Sequence, residues 1–106
     1  MAEKQKNFRT NLSPEDAQTR VVQGVMSWKM GKAFGVKPAG QNLFEATRAG
    51  KQTGSTVSYT IHSQGGSTEV AVRVATVSVA LKNPMTGVFK SVEKSLREGD
   101  PGTIAT

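Results

Sequence analysis

Apolar residues recur along this chain with two periods, and the change of period marks its elements. From Ser13 to about Met30 the spacing is helical: Ala17, Val21, Val25 and Trp28 share one face, with Gly24 beside them. Ser13-Pro14-Glu15-Asp16 supplies the start, with a hydroxyl for the N-cap, a proline suited to the first turn, and two acids that complement the helix dipole. Gly31 is the expected stop. A glycine at position 24 costs about 1 kcal/mol of helix propensity, which predicts close approach of this helix to a sheet.

The period then shortens to two. Ala33 to Val36 reads as a short strand and Lys37-Pro38-Ala39-Gly40 as a turn. Leu43 to Arg48 alternates, with Phe44 and Ala46 on one side and Glu45 and Thr47 on the other; Ala49 to Gly54 is a second turn. Thr56 to His62 is the cleanest strand, with Val57, Tyr59 and Ile61 facing inward. Ser63-Gln64-Gly65-Gly66 closes a hairpin, and Thr68 to Val74 returns with Val70, Val72 and Val74 inward. Beyond it the apolar positions change from even (70, 72, 74) to odd (77, 79, 81), which requires a bulge or strand end near Ala75-Thr76. Asn83-Pro84 repeats the cap-plus-proline signal. A second helix follows from about Met85 to Glu98, ending at Gly99, with Met85, Val88, Phe89, Val92 and Leu96 on its apolar face.

Phe8 to Leu12 forms the expected first strand, while residues 1–7 and 100–106 read as a flexible N-terminus and a flexible tail. The expected architecture is one α+β domain over residues 8–99. It is an antiparallel sheet of four to five strands with two helices on one face, in the order β-α-β-β-β-(β)-α.

The runs FRTNLSPEDA, LFEATRAG, GSTVSYTI with its GG hairpin, and TEVAVRV before a closing helix resemble small bacterial α+β domains. In outline these are similar to shortened helix-grip or TATA-binding-protein-like folds. The resemblance spans about residues 8–98 and is carried by element order and turn placement. It implies a fold and transfers no active site.

Composition narrows the chemistry. The 106 residues contain no cysteine, which removes disulfides, thiolate metal sites and cysteine nucleophiles together. The apolar stretch from Val70 to Leu81 is interrupted by Arg73, Thr76 and Ser78, so no membrane span is expected. The basic opening MAEKQKNF lacks the apolar segment of a secretory signal, and the cytoplasm is the expected location. Lys plus Arg number 14 against 8 Asp plus Glu, a formal charge of +6 that favours attraction to polyanions.

Individual candidates for catalysis fare poorly. The stretch RAGKQTGST, residues 48–56, suggests a phosphate loop, yet Glu45 stands where the first glycine of a Walker motif belongs. Gln52 replaces the Ser or Thr after the lysine, and a strand follows instead of a helix. The lone His62 has no evident orienting carboxylate, since Asp16 and Asp100 both have structural roles. Glu45 and Glu69 share the open sheet face, where solvated strand carboxylates beside Arg48 and Arg73 are the plainer reading of them. No enzyme, metal or cofactor is expected.

Two surfaces remain. Val22, Met26 and Met30 flank the core face of the first helix, and with Trp28, Phe34 and Tyr59 they form a candidate surface. Its expected occupants are a protein partner, a second copy or an apolar small ligand. Lys90, Lys94 and Arg97 form a basic stripe on the second helix, joined by Arg48 and Lys51 as candidate polyanion contacts. Lys4, Lys6 and Arg9 add charge at the N-terminus, and Lys29, Lys32 and Lys37 around the end of the first helix. Glu93 and Glu98 interrupt the stripe, and the open sheet face lacks the aromatic platform that single-stranded RNA modules use. The sequence therefore favours a non-enzymatic binding or interaction module, with nucleic-acid binding as the alternative.

Overall fold

The computed structural model describes residues 2–48, 51–76 and 85–106. In chain order they form β1 (Ala2–Thr10), α1 (Pro14–Met26), a short α2 (Gly31–Phe34), β2 (Val36–Gly40), β3 (Leu43–Arg48), β4 (Lys51–Gln64), β5 (Ser67–Thr76), α3 (Gly87–Gly99) and β6 (Ile104–Ala105). The strands make one six-stranded sheet, ordered β2-β3-β4-β5-β1-β6, with every neighbouring pair antiparallel. α1 and α3 pack against each other over one face of it.

The connections explain the layering. β1 and β4 both run antiparallel to β5, which lies between them, and β5 and β6 do the same around β1. α3 thus stands between two parallel strands, β5 and β6, with antiparallel β1 between them, while α1 is followed by α2 and the β2–β3 hairpin before the chain reaches β4, which is parallel to β1 across β5. With that hairpin as an insertion, the remaining elements make two interlocked split β-α-β units. The β2–β3 hairpin extends the sheet at its far edge.

Local chemistry accounts for the best-read elements. The Ser13 hydroxyl accepts the Asp16 N–H at 3.2 Å, and Pro14 opens α1 as expected. Gly65 and Gly66 both have positive φ (57° and 86°), which the two-residue turn between Gln64 and Ser67 requires. Val70, Val72 and Val74 are fully buried; opposite them stand Ile61, Tyr59 and Val57 on β4, and opposite Val70 also Phe8 on β1. Val21, Val25, Val88, Val92 and Leu96 close the core from the helices.

The sheet is longer at both termini than the pattern predicts. Residues 2–10 form a full strand along β5, from Ala2↔Thr76 to Thr10↔Thr68, and are not a frayed end before Phe8. Glu3 through Asn7 are exposed on both faces, so no alternation betrays the strand. Residues 100–106 are not a loose tail either. Ile104 and Ala105 pair with Arg9 and Phe8, and the Thr106 N–H donates to the Asn7 carbonyl at 2.9 Å. The first lengthens an expected strand, and the second, β6, raises the sheet to six.

Four internal assignments also change. α1 ends at Met26, with Ser27 as its C-cap, four residues before the expected stop. Residues 31–34 then make a helical turn where a strand was expected, and Gly35 leaves it with φ 64°. A Cβ at Gly35 would sit 1.6 Å from the Thr47 carbonyl oxygen. Lys37-Pro38-Ala39-Gly40 is strand β2, not a turn; proline fits because β2 is an edge. β4 begins at Lys51, already paired with Arg48, so the expected turn from Ala49 to Gly54 shrinks, and the extra residues form a bulge at the Ala46/Thr47 register shift. The register of β5 runs unbroken to its last described residues, Ala75 and Thr76. The odd-numbered apolar run 77–81, which set the expected bulge or strand end, and the Asn83-Pro84 signal lie outside the described residues.

Candidate functional site

The most developed surface feature is the outer seam between α1 and α3, and it begins with small residues. A Cβ on Gly24 would lie 2.7 Å from the Val92 Cα and 3.0 Å from the Ser91 carbonyl oxygen. The glycine therefore admits the second helix, and not the sheet as its position in the sequence suggests. On α3, the Ser91 hydroxyl donates to the Gly24 carbonyl and the Ser95 hydroxyl to the Arg20 carbonyl, each at 2.6 Å. Pairing 20 with 95 and 24 with 91 makes the helices antiparallel. It also brings the end of α1 beside the start of α3.

There the chain turns out of α1 and tucks Trp28 under it. The indole stacks on Phe34 with ring centroids 5.5 Å apart and an interplanar angle of 14°. It also lies against Gly87, where a Cβ would approach Nε1 to 3.2 Å. A groove of about 930 Å³ follows the outside of the seam, between Met26, Trp28 and Lys29 on one side and Lys90, Lys94 and Glu98 on the other. A second depression of about 580 Å³ lies across the ridge made by residues 26–29 and adds Lys32 and Val36. Met26 is 52% exposed and Met30 48%, two of the three large apolar side chains exposed among the described residues.

The structure redistributes the two surfaces read from the sequence. Met26 and Trp28 from one, and Lys90 and Lys94 from the other, line the same groove. Val22 packs partly buried against the core, away from the groove. Because α1 stops at Met26, Met30 belongs to the cap of α2, and the expected helical arc through 22, 26 and 30 is broken. Phe34 and Tyr59 are core residues, not surface ones, and so for the most part is Trp28, which borders the groove although it is only 7% exposed. Tyr59 packs near Phe44, and its hydroxyl is shifted above its ordinary pKa by burial, with the Gln18 hydrogen bond acting the other way. Arg97 turns from the groove: its Nε donates to the Thr103 carbonyl at 3.2 Å, and its guanidinium lies 3.7 Å from Glu93. The side chains of Arg48 and Lys51 lie outside the described residues. The sequence reading missed Ser91 and Ser95, whose i, i+4 spacing opposite a helix glycine is the usual sign of close helix contact.

The opposite, open face of the sheet carries mostly small and polar side chains, with Leu43 and the half-exposed Ile104 among them. Tyr59 points to the core, so none of the sheet's described aromatics faces solvent there. Arg9 Nε donates to Glu69 Oε1 at 2.8 Å, and Lys37 stands opposite Glu45 in the register. Glu45 and Glu69 share this face but not a site. Glu45 lies level with Thr56 and Ala75, so Glu69 is six residues further along β5, about 20 Å at strand rise. His62 is exposed and sits across from Glu69. Among the described residues no group of three or more His, Asp or Glu is placed to hold a metal ion. No described helix is long and apolar enough to cross a membrane.

Asp100 has a structural task. Its Oδ2 accepts from the Asn11 N–H at 2.8 Å and the Thr10 hydroxyl at 2.9 Å, and its Oδ1 accepts from the Gly102 N–H at 3.1 Å. The Asn11 N–H first, and then the Thr10 hydroxyl, hold the carboxyl below its ordinary pKa. Buried Thr103 donates to the Thr10 hydroxyl oxygen at 3.0 Å, which fastens the C-terminal strand to β1.

No protein-family model matches the sequence, and no curated protein matches it. Among solved structures, a de novo designed protein with a ferredoxin fold, determined in solution by NMR, is similar at a TM-score of 0.59 and 14% identity. The alignment covers 100% of this chain and 82% of the designed one. The likeness is one of fold, in keeping with the two split β-α-β units, and carries no functional residue across.

Proposed function

We propose that this chain is a non-enzymatic binding module whose contact surface is the groove along the α1–α3 seam. One observation carries the reading: Met26 stands half exposed over a groove flanked by Lys29 from the turn after α1 and by Lys90 and Lys94 from α3. An exposed apolar side chain set within a polar rim is how contact surfaces are commonly built. The proposal places the module in the cytoplasm, in keeping with a sequence free of cysteine.

Amide NMR with a neutral apolar dye, beside a light-scattering mass, tests it. The expected result is a set of shifts over residues 23–29 and 87–98 that disappears in Met26→Lys while the fold persists. Unchanged binding and unchanged mass in that variant would remove the proposal.

A second reading, a basic nucleic-acid-binding domain, is favoured by Lys90 and Lys94 standing exposed one turn apart on α3. It predicts oligonucleotide binding that weakens steeply with salt and on neutralising both lysines. It has less support, because Arg97 is engaged with Thr103 and Glu93, and Trp28 is stacked on Phe34 with little ring left for a base.

A further inference from the structure

We infer that the occupant of the groove is an acidic amphipathic helix from a protein partner, seated along the α1–α3 seam with an apolar side chain on Met26 and carboxylates on Lys29, Lys90 and Lys94. The inference rests on the binding-module reading above and specifies its partner.

Three features identify the occupant. The first is charge: the two depressions flanking residues 26–29 are lined by Lys29, Lys32, Lys90 and Lys94, against one acid, Glu98. That acid lies at the far end of the groove, 3.9 Å from Arg20, so it is answered within the chain. Two copies of a chain carrying +6 would bring lysines against lysines, which disfavours self-association at this surface.

The second feature is the floor. Ser91 and Ser95 line the groove, but their hydroxyls are spent on the α1 carbonyls at 2.6 Å. At the seam itself the floor therefore presents mostly apolar surface, with Gln23 and Ser27 as polar groups along its rim. A nucleic acid is a poor fit, since its bases would find Trp28 only 7% exposed and already stacked.

The third feature is shape. Lys90, Lys94 and Glu98 form one i, i+4 row along α3, running beside the seam from Gly87 to Glu98. This is a length of about 17 Å, three turns of helix. Rows at this spacing receive the complementary ridges of a third helix, and helices that dock in such grooves present apolar anchors at i, i+3, i+4 and i+7.

The test uses the full chain and two synthetic helical peptides with the same leucine pattern, one flanked by glutamates and the other by lysines. Trp28, the chain's single tryptophan, reports binding by its fluorescence. The acidic peptide is expected to bind about tenfold or more tightly than the basic one at low salt, with the gap closing as salt rises. Lys90→Glu with Lys94→Glu, both exposed positions, should invert the order of the two peptides while leaving the fold intact by circular dichroism. Equal affinity for both peptides, or no inversion in the double variant, overturns the inference. So does a single-stranded oligonucleotide or an anionic lipid vesicle that binds the same lysines more tightly than the acidic peptide. If the apolar dye still marks the groove while the peptides are not distinguished, the binding-module reading stands and only the partner assignment falls. If no probe perturbs the groove, both fall.

Discussion

The molecule offers two broad surfaces to a partner, the open face of the sheet and the outer seam of its helix pair, and they are built on opposite principles. On the sheet, Arg9 pairs with Glu69, Lys37 stands across from Glu45 in the register, and Arg73 donates to the neutral Gln5 amide oxygen at 3.4 Å. Between them lie small residues such as Ser58, Thr60 and Ala71. On the seam, the hydrogen-bonding groups close to the helix contact are consumed by it, and the charges above it are left mostly of one sign. A surface with its charges answered in this way has less to gain from a partner, although Ile104 at its β6 edge is half exposed. One with exposed apolar area and unbalanced charge gains both burial and Coulomb energy.

The largest effect on this contrast should come from Gly24→Ala. Its methyl group would meet the Val92 backbone, which can yield only if the helices separate. Overpacking of this kind costs about 1–3 kcal/mol, set against about 1 kcal/mol of helix propensity recovered. Chemical denaturation should show net destabilisation, and a more stable variant would contradict the tight seam. Ser95→Ala comes next. It removes the donor to the Arg20 carbonyl and should lower stability by about 0.5–1.5 kcal/mol in the same measurement.

Acid should separate the sheet edge from the seam. A carboxyl whose pKa is lowered in the folded state stabilises above its unfolded value, and that stability is lost as pH falls through the lowered value. For Asp100 the loss therefore begins below its ordinary 3.8. Hydrogen exchange should then speed at Arg9 and Thr106, along β6, while the amides of Gly24 and Ser91 stay protected. Asp100→Asn should loosen the same edge at neutral pH and flatten this pH response. The smallest effects belong to Met26→Ala and Thr60→Lys, which should each change stability by no more than about 0.5 kcal/mol. They should differ in binding alone, with Met26→Ala weakening the acidic peptide and Thr60→Lys leaving it unaffected.

Most of the helix-covered side of the fold was legible in the sequence, because burial imposes a period. Val70, Val72 and Val74 read as one face of a strand, and Val88, Val92 and Leu96 as one face of a helix, for that reason. β1 before Phe8 was illegible because Lys4 and Lys6 stay exposed although they lie opposite Val74 and Val72, so neither side of the strand shows a pattern. β6 has two residues, too few for a period, and is held by Asp100 and Thr103 instead. The end of α1 carries no glycine or proline; what ends it is the turn that stacks Trp28 on Phe34, a contact made with the next element.

The groove was half legible. Each of its walls showed in its own helix, as exposed Met26 and as the Lys90–Lys94 row, but they read as rival surfaces. Gly24 is what joins them, and its partner is a backbone 68 residues away, at Val92, which no local period reveals.

An amide chemical-shift map of the full chain, titrated at low salt with the glutamate-flanked peptide, tests the central claim most directly. The account predicts shifts concentrated at residues 23–29 and 87–98, with Ser58, Thr60 and Ala71 unmoved. Shifts concentrated on the open sheet face instead would contradict it.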